Sequence, residues 1–161
     1  MKVEPQKEHR WLQKFVGDWV MEDAKAEGPG GDKPHPKWVE TVRSLHGVWV
    51  VAEGRGEMPD GGGPATTMMT LGFDPRVGHF VGTWLGSMMT HLWVYSGTLD
   101  PSGRVLSLDA EGPDFADLAK PNRKYKDVHE FRGDDHRVLT SHLLGDDGKW
   151  TQFMTAHYRR K

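Results

Sequence analysis

The sequence predicts an all-β fold, an antiparallel up-and-down β-barrel of about ten strands with a short N-terminal helix that covers one end. Two observations support this prediction. Apolar, strand-forming segments recur along the chain with turn-forming residues between them, at intervals of roughly 8–12 residues. Each turn joins neighbouring segments, so the strands form a meander, and closing a meander into a barrel leaves no unpaired edge.

A helical pattern is present only near the N-terminus, between residues 6 and 16. Its apolar side chains share one face at helical spacing: Trp11, Leu12, Phe15 and Val16. Gly17 then ends the helix. Because a helix of about three turns is not stable alone in water, this stripe must cover apolar surface elsewhere, and the open end of a barrel offers it.

Strand signals occupy most of the remaining chain, at 18–27, 38–45, 48–58, 65–73, 79–86, 90–99, 104–111, 124–132, 137–144 and 149–158. Gly/Pro-rich surface loops are expected at 28–37 and 59–64. This arrangement leaves no room for a second domain. We therefore expect residues 1–161 to form a single barrel domain.

The composition limits the classes of partner and chemistry. The net charge of −2 favours neither nucleic acid nor an anionic membrane. The chain has no cysteine, which excludes disulfides, thiolate metal sites and a cysteine nucleophile. The first residues lack the apolar segment of a signal peptide, and no apolar run approaches the ~18 residues of a membrane span. We therefore expect a cytoplasmic protein without nucleic-acid or membrane partners.

The eighth predicted strand carries the clearest evidence for a polar lumen. Charged residues mark one of its faces as solvated: Lys124, Lys126, Glu130 and Arg132. The opposite, inward face then holds Tyr125, Asp127, His129 and Phe131. The turns predict that Asp127 lies opposite His142 and His129 opposite Thr140, and His157 continues this face. So many inward polar groups need partners, which a solvated or ligand-filled lumen would supply. A register shift of one residue would move these groups to the other face. For each histidine, a purely structural role is the alternative to ligand binding.

Two other regions bear on the lumen. The turn at 74–78 pairs Met69 with Trp84 and Phe73 with Phe80 on an internal face. In the strands at 90–111 the inward face stays open between two sets. One is apolar: Leu92, Val94, Leu106, Leu108 and Ala110. The other is an aromatic wall with a carboxylate: Trp93, Tyr95 and Glu111.

Charged residues also alternate in the strands between 38 and 58, at Glu40, Arg43, Glu53 and Arg55. An exposed charged ladder is the favoured interpretation. An arginine that binds a carboxylate inside the lumen is the alternative.

The chain resembles the bacterial family of unknown function DUF1579. The matching segments cover nearly the whole chain in order: Glu8–Leu12, Val16–Trp19, Glu40–Leu45, Leu71–Pro75, Phe80–Trp84 with Ser87 and Met88, and Thr155–Arg159. The resemblance implies a lipocalin-like (calycin) barrel and no assigned activity. Gly17 and Trp19 are similar to the motif of the first lipocalin strand, whose Trp closes the barrel base. The layout is also distantly similar to nitrobindin-type haem barrels, in which a late histidine holds the iron; His142 or His157 would take that part.

The leading functional hypothesis is a non-catalytic barrel that binds a small apolar or amphipathic molecule in its lumen without a cofactor. The residues expected to contact it are Met69, Trp84, Trp93, Tyr95, Asp127, His129, Phe131, Thr140, His142, Phe153 and His157. Three alternatives stay open. They are an enzyme that uses Asp127 with His129 or His142 as an acid–base pair, a haem or metal site built from the three lumen histidines, and an interaction module that forms a homodimer.

Overall fold

The computed structural model describes residues 1–26, 37–58 and 61–161. The predicted loop at 28–37 lies almost wholly outside these residues, and the loop at 59–64 lies partly outside them. The elements are α1 (Lys7–Leu12) with a following 3-10 turn (Gln13–Phe15), β1 (Gly17–Ala26), β2 (Trp38–Leu45), β3 (Trp49–Glu57), β4 (Pro64–Asp74), β5 (His79–Gly86), β6 (Trp93–Leu99), β7 (Val105–Gly112), β8 (Arg123–Phe131), β9 (His136–Leu144) and β10 (Trp150–Arg160).

The ten strands form a closed antiparallel barrel in which sequence neighbours pair throughout. The first and last strands close it, with Val20 opposite Arg159 and Ala24 opposite Ala156. The predicted up-and-down barrel is therefore confirmed. No helix among the described residues has the length and apolarity that a membrane crossing requires.

The N-terminal helix and its 3-10 turn close one end of the barrel, as predicted. Leu12 and Phe15 are fully buried. Trp11 makes edge-to-face contacts with Phe80 and Phe131, and its indole N–H donates to the carbonyl of Gly103 at 2.6 Å. The aromatic stripe of the helix thus joins the barrel core.

Trp19 lies directly beneath this cover and is fully buried. Its indole N–H donates to the carbonyl of Phe15 at 2.8 Å. The guanidinium of Arg160, from the last strand, lies 4.2 Å from the centre of the indole ring. Both ends of the barrel sequence therefore meet at Trp19.

The β4–β5 hairpin has the predicted register, with Met69 opposite Trp84 and Phe73 opposite Phe80. Leu71 lies opposite Gly82, and there is no free space beside this glycine. A Cβ at Gly82 would lie 2.0 Å from the backbone carbonyl oxygen of Thr70, so any other residue would displace the backbone. The backbones of β4 and β5 approach closely at this point, and glycine is required for that reason.

The β8–β9 hairpin differs from its predicted register by one residue. Asp127 lies opposite Ser141, and His129 lies opposite Leu139. This register turns Leu139 and Leu143 inward, so these two leucines line the cavity in place of Thr140 and His142. The predicted inward positions of Thr140, His142 and His157 are therefore wrong, and these side chains lie on the outer face of the barrel.

In the β6–β7 hairpin Ser96 lies opposite Asp109, so Tyr95 and Asp109 are on different faces of the sheet. As a result the inward face combines parts of the two predicted sets. Its members are Trp93, Tyr95, Leu106, Leu108 and Ala110. Leu92 and Val94 are exposed instead.

Replacing the buried ring of the cover should destabilise the whole barrel. We expect Phe15→Ala to lower the free energy of unfolding by about 3–5 kcal/mol, because the ring is fully buried against Phe131 and other core groups. Phe115→Ala is the matched control, since its ring is 56% exposed and its removal should cost roughly 0.5 kcal/mol or less. Urea denaturation measures both, and equal losses would contradict the assignment of the helix as a packed cover.

Candidate functional site

The barrel encloses a cavity of about 560 Å³. Its wall is formed largely by aromatic and aliphatic side chains: Trp38, Met69, Trp84, Trp93, Leu139, Leu143, Phe153 and Met154. Loop residues at the end opposite α1 form the rim, among them Met88, Met89 and Phe115. The cavity therefore combines an apolar wall with an opening away from the helical cover.

A buried cation forms the floor of the cavity. Arg137 is fully buried, and its Nη2 donates to the carboxylate of Glu40, which is 9% exposed. Its Nη1 lies 3.1 Å from Nδ1 of His129, which must accept because a guanidinium can only donate. The guanidinium carbon lies 4.4 Å from the ring centre of Tyr158 and 5.0 Å from that of Trp19. The two charges thus pair within the floor, where Nε of Arg137 is the one guanidinium nitrogen without a hydrogen-bond partner among the described residues.

The predicted charged ladder of β2 and β3 is therefore only partly right. Arg55 and Glu53 form an ion pair on the surface, with the arginine side chain 71% exposed. Glu40, by contrast, points into the lumen and pairs with Arg137, a residue that the wrong β9 register had placed outside.

The floor holds its histidine in the neutral form. Burial, together with the guanidinium of Arg137, lowers the pKa of His129 well below its ordinary value. Burial also raises the pKa of the Tyr158 hydroxyl, with the charge of Glu40 adding to the effect. Tyr158 lines the cavity, and its hydroxyl stays protonated across the physiological range.

Asp127 lies one layer above the floor and is bound by hydroxyl groups. Tyr95 donates to one carboxylate oxygen at 2.5 Å, and Ser141 donates to the other at 2.6 Å. Burial raises the pKa of Asp127, and the two hydrogen bonds oppose that rise. The predicted Asp–His acid–base pair is not formed, because hydroxyls occupy the positions where an imidazole was expected.

Aromatic side chains narrow the cavity above Asp127. The rings of Trp93 and Tyr125 meet edge to face with centroids 4.9 Å apart. The indole N–H of Trp93 contacts the sulfur of Met89 at 3.2 Å, and the Tyr125 hydroxyl donates to the carbonyl of Pro113 at 2.6 Å. These contacts fix the two rings at the mouth.

The family model described as "Protein of unknown function (DUF1579)" matches residues 4–160. The chain belongs to the DUF1579 family. Among solved structures, Rv2717c from M. tuberculosis aligns with a TM-score of 0.65 over 98% of this chain and 99% of that chain, at 13% identity. A redesigned β-barrel aligns with a TM-score of 0.48 over 94% of this chain and 96% of that chain, at 12% identity. The protein EF1p2_mFAP2b bound to DFHBI aligns with a TM-score of 0.48 over 95% of this chain and 98% of that chain, at 15% identity. The likeness to Rv2717c shows the fold alone. No protein with a curated description matches significantly.

The DUF1579 barrel brings together most, but not all, of the residues predicted for its site. Those that line the cavity are Met69, Trp84, Trp93, Tyr95, Asp127, His129 and Phe153. Phe131 lies below the cavity, where it packs on Phe15 in the core. Sequence analysis missed Glu40, Arg137, Ser141 and Tyr158. The alternation of Leu139 and Leu143 along β9 was the signal for the correct inward face.

The three-histidine site does not exist in this DUF1579 barrel. His157 stacks on His136 outside the barrel, with their ring nitrogens 2.9 Å apart, and His142 contacts the Thr140 hydroxyl at 3.0 Å. A haem inside the cavity would therefore have neither His142 nor His157 as an iron ligand. Across residues 1–26, 37–58 and 61–161, no three His, Asp or Glu side chains converge as a metal site.

Breaking the ion pair of the floor should destabilise the barrel far more than breaking its surface counterpart. We expect Arg137→Met to cost about 3–5 kcal/mol, because it leaves the Glu40 carboxylate buried without a cation. The same change at Arg55, whose pair with Glu53 is solvated, should cost less than about 1 kcal/mol. Urea denaturation at neutral pH compares them, and similar losses would contradict a buried ion pair.

The neutral state of His129 predicts a specific pH dependence of stability. Below the ordinary histidine pKa of 6.5, the unfolded chain takes up a proton that the folded barrel does not. This contribution is therefore complete above pH 6.5 and is lost as the pH falls, by up to about 1.4 kcal/mol per pH unit. Relative to His129→Gln, which keeps an acceptor for Arg137, the wild type should lose stability more steeply below pH 6.5. Parallel curves from urea denaturation at each pH would contradict the prediction.

Proposed function

We propose that this protein is a non-catalytic binding barrel that holds one small apolar or amphipathic molecule in its lumen. The cavity carries this proposal: about 560 Å³ falls within the roughly 300–1,000 Å³ typical of small-ligand sites. The lumen of a ten-stranded barrel can accept one such ligand from the end opposite the helical cover.

The wall supports a ligand with a large apolar surface. Burying such surface contributes roughly 25 cal/mol per Å², and the cavity offers indole, phenyl and thioether groups for that contact. Met69, Met88, Met89 and Met154 line the cavity, and unbranched methionines adapt to ligands of different shape.

The polar groups of the cavity support binding rather than catalysis. Ser141 donates to Asp127, and no imidazole in the described part of the chain hydrogen-bonds its hydroxyl. His129 is held by Arg137 at the floor. A serine activated by an imidazole, the usual arrangement of serine hydrolases, is thus not assembled among these residues.

Blocking the cavity from within should weaken ligand binding. We expect the neutral dye Nile red to bind the wild type with enhanced fluorescence, and Leu139→Trp to weaken that binding about tenfold or more, because the indole occupies ligand space. Thr140→Trp is the matched control, since the adjacent residue faces outward, and it should bind as the wild type does.

Three results would count against the binding barrel in this dye titration. They are no binding by the wild type, unchanged binding by Leu139→Trp, and equal weakening by both variants. Thermal unfolding of each variant shows that the barrel is intact before the dye is added.

A further inference from the structure

We propose that the ligand carries a positive charge: a protonated amine with an apolar body, whose ammonium group is bound by Asp127. This inference rests on the proposed binding function and adds the chemical class of the ligand. It follows from the balance of charges inside the cavity, from the position of Asp127 and from the rings around it.

The charged side chains that face the cavity do not balance. Among the described residues they are Glu40, Asp114, Arg123, Asp127 and Arg137, with His129 neutral. Arg137 pairs with Glu40, and Arg123 lies 3.4 Å from Asp114 at the rim. Asp127 accepts hydrogen bonds from two hydroxyls, and no lysine or arginine in the described part of the chain pairs with it, although His142 lowers its pKa electrostatically. A ligand with one positive charge would supply the missing partner.

Asp127 is placed where a ligand can reach it. Its strand runs from the rim to the floor through Arg123, Tyr125, Asp127 and His129, so the carboxylate lies midway down the lumen wall. Each of its oxygens accepts one hydroxyl hydrogen bond, whereas a carboxylate has about four acceptor positions in all. Capacity therefore remains for an ammonium donor from the cavity side.

The surroundings of Asp127 fit an organic cation. Tyr95 bonds it directly, and Tyr125 and Trp93 lie in the layer toward the mouth. Aromatic faces attract cations, and this attraction strengthens where water is excluded. An amine bound at Asp127 would project its apolar body past these two rings toward the methionines of the rim.

An anionic ligand is less favoured in this cavity than a cationic one. Both Nη groups of Arg137 are engaged by Glu40 and His129, and its faces are covered by aromatic rings, Tyr158 among them, while its Nε is without a hydrogen-bond partner among the described residues. A carboxylate ligand would meet a cation already paired with Glu40 and would be repelled by Asp127 and Glu40. A neutral ligand would leave Asp127 with its two hydroxyl donors alone.

Three probes with the same ring system and different charge test the inference in the full-length protein by calorimetric titration. They are 2-(2-naphthyl)ethylamine, 2-(2-naphthyl)ethanol and 2-naphthylacetate. We expect the amine to bind wild type about tenfold or more tightly than the alcohol, and the carboxylate to bind more weakly than both.

Asp127→Asn should remove the preference for the amine over the alcohol, because the amide keeps the shape and an acceptor but not the charge. The matched control is Asp109→Asn, which neutralises an exposed carboxylate on the outer face of β7 and should keep the tenfold preference. If Asp127→Asn does not fold, the ranking of the three probes on the wild type still decides the charge preference.

The outcomes separate the two proposals. An alcohol that binds as tightly as the amine, or an amine preference that survives Asp127→Asn, would overturn the assignment of a cationic ligand and leave the binding barrel intact. Binding of none of the three probes, together with no binding of Nile red, would overturn the binding function itself.

Discussion

The buried guanidinium of Arg137 is the group on which the organisation of the barrel depends. Moving such a charge out of water costs several kcal/mol, which only a partner charge and well-placed contacts can offset. The barrel provides these from separate elements: the carboxylate of Glu40 on β2, the imidazole of His129 on β8 and the ring of Tyr158 on β10. The phenyl ring of Phe15 adds a contact from the helical cover. One cation thus links the cover, the first strands and the last ones, and the cavity above this floor is open to a ligand.

Most of the fold could be predicted because it is encoded locally. Turn-forming residues and the alternation of apolar and polar residues located the ten strands. The turn from Asp74 to Gly78 fixed the β4–β5 register through the hydrogen bond from the Gly78 N–H to the Asp74 carbonyl. The loop between β8 and β9 is different. Its Gly-Asp-Asp sequence is compatible with two placements that differ by one residue, and the burial of Leu139 and Leu143 decides between them. Such a decision depends on the whole barrel and is not contained in the turn itself.

The same distinction explains which site residues sequence analysis found. The inward face of β8 was set by its own charged residues, so Asp127 and His129 were placed correctly. Arg137 and Ser141 were missed because the faces of β9 were exchanged. Glu40 was assigned to the surface because its partner lies 97 residues away along the chain, a distance at which no local pattern connects the two.

The seam between β1 and β10 also has a consequence for how the molecule is made. The two strands pair across almost the full length of the barrel sequence, from Trp19 opposite Arg160 to Ala26 opposite Met154. The ribosome synthesises β10 last of the ten strands. One edge of β1 therefore stays unpaired until the whole sheet has been synthesised. Pairing of distant segments is slow compared with local hairpin formation, because the entropy of closing a long loop must be lost first. We therefore expect the lumen, with Tyr158 as part of its floor, to form late in folding.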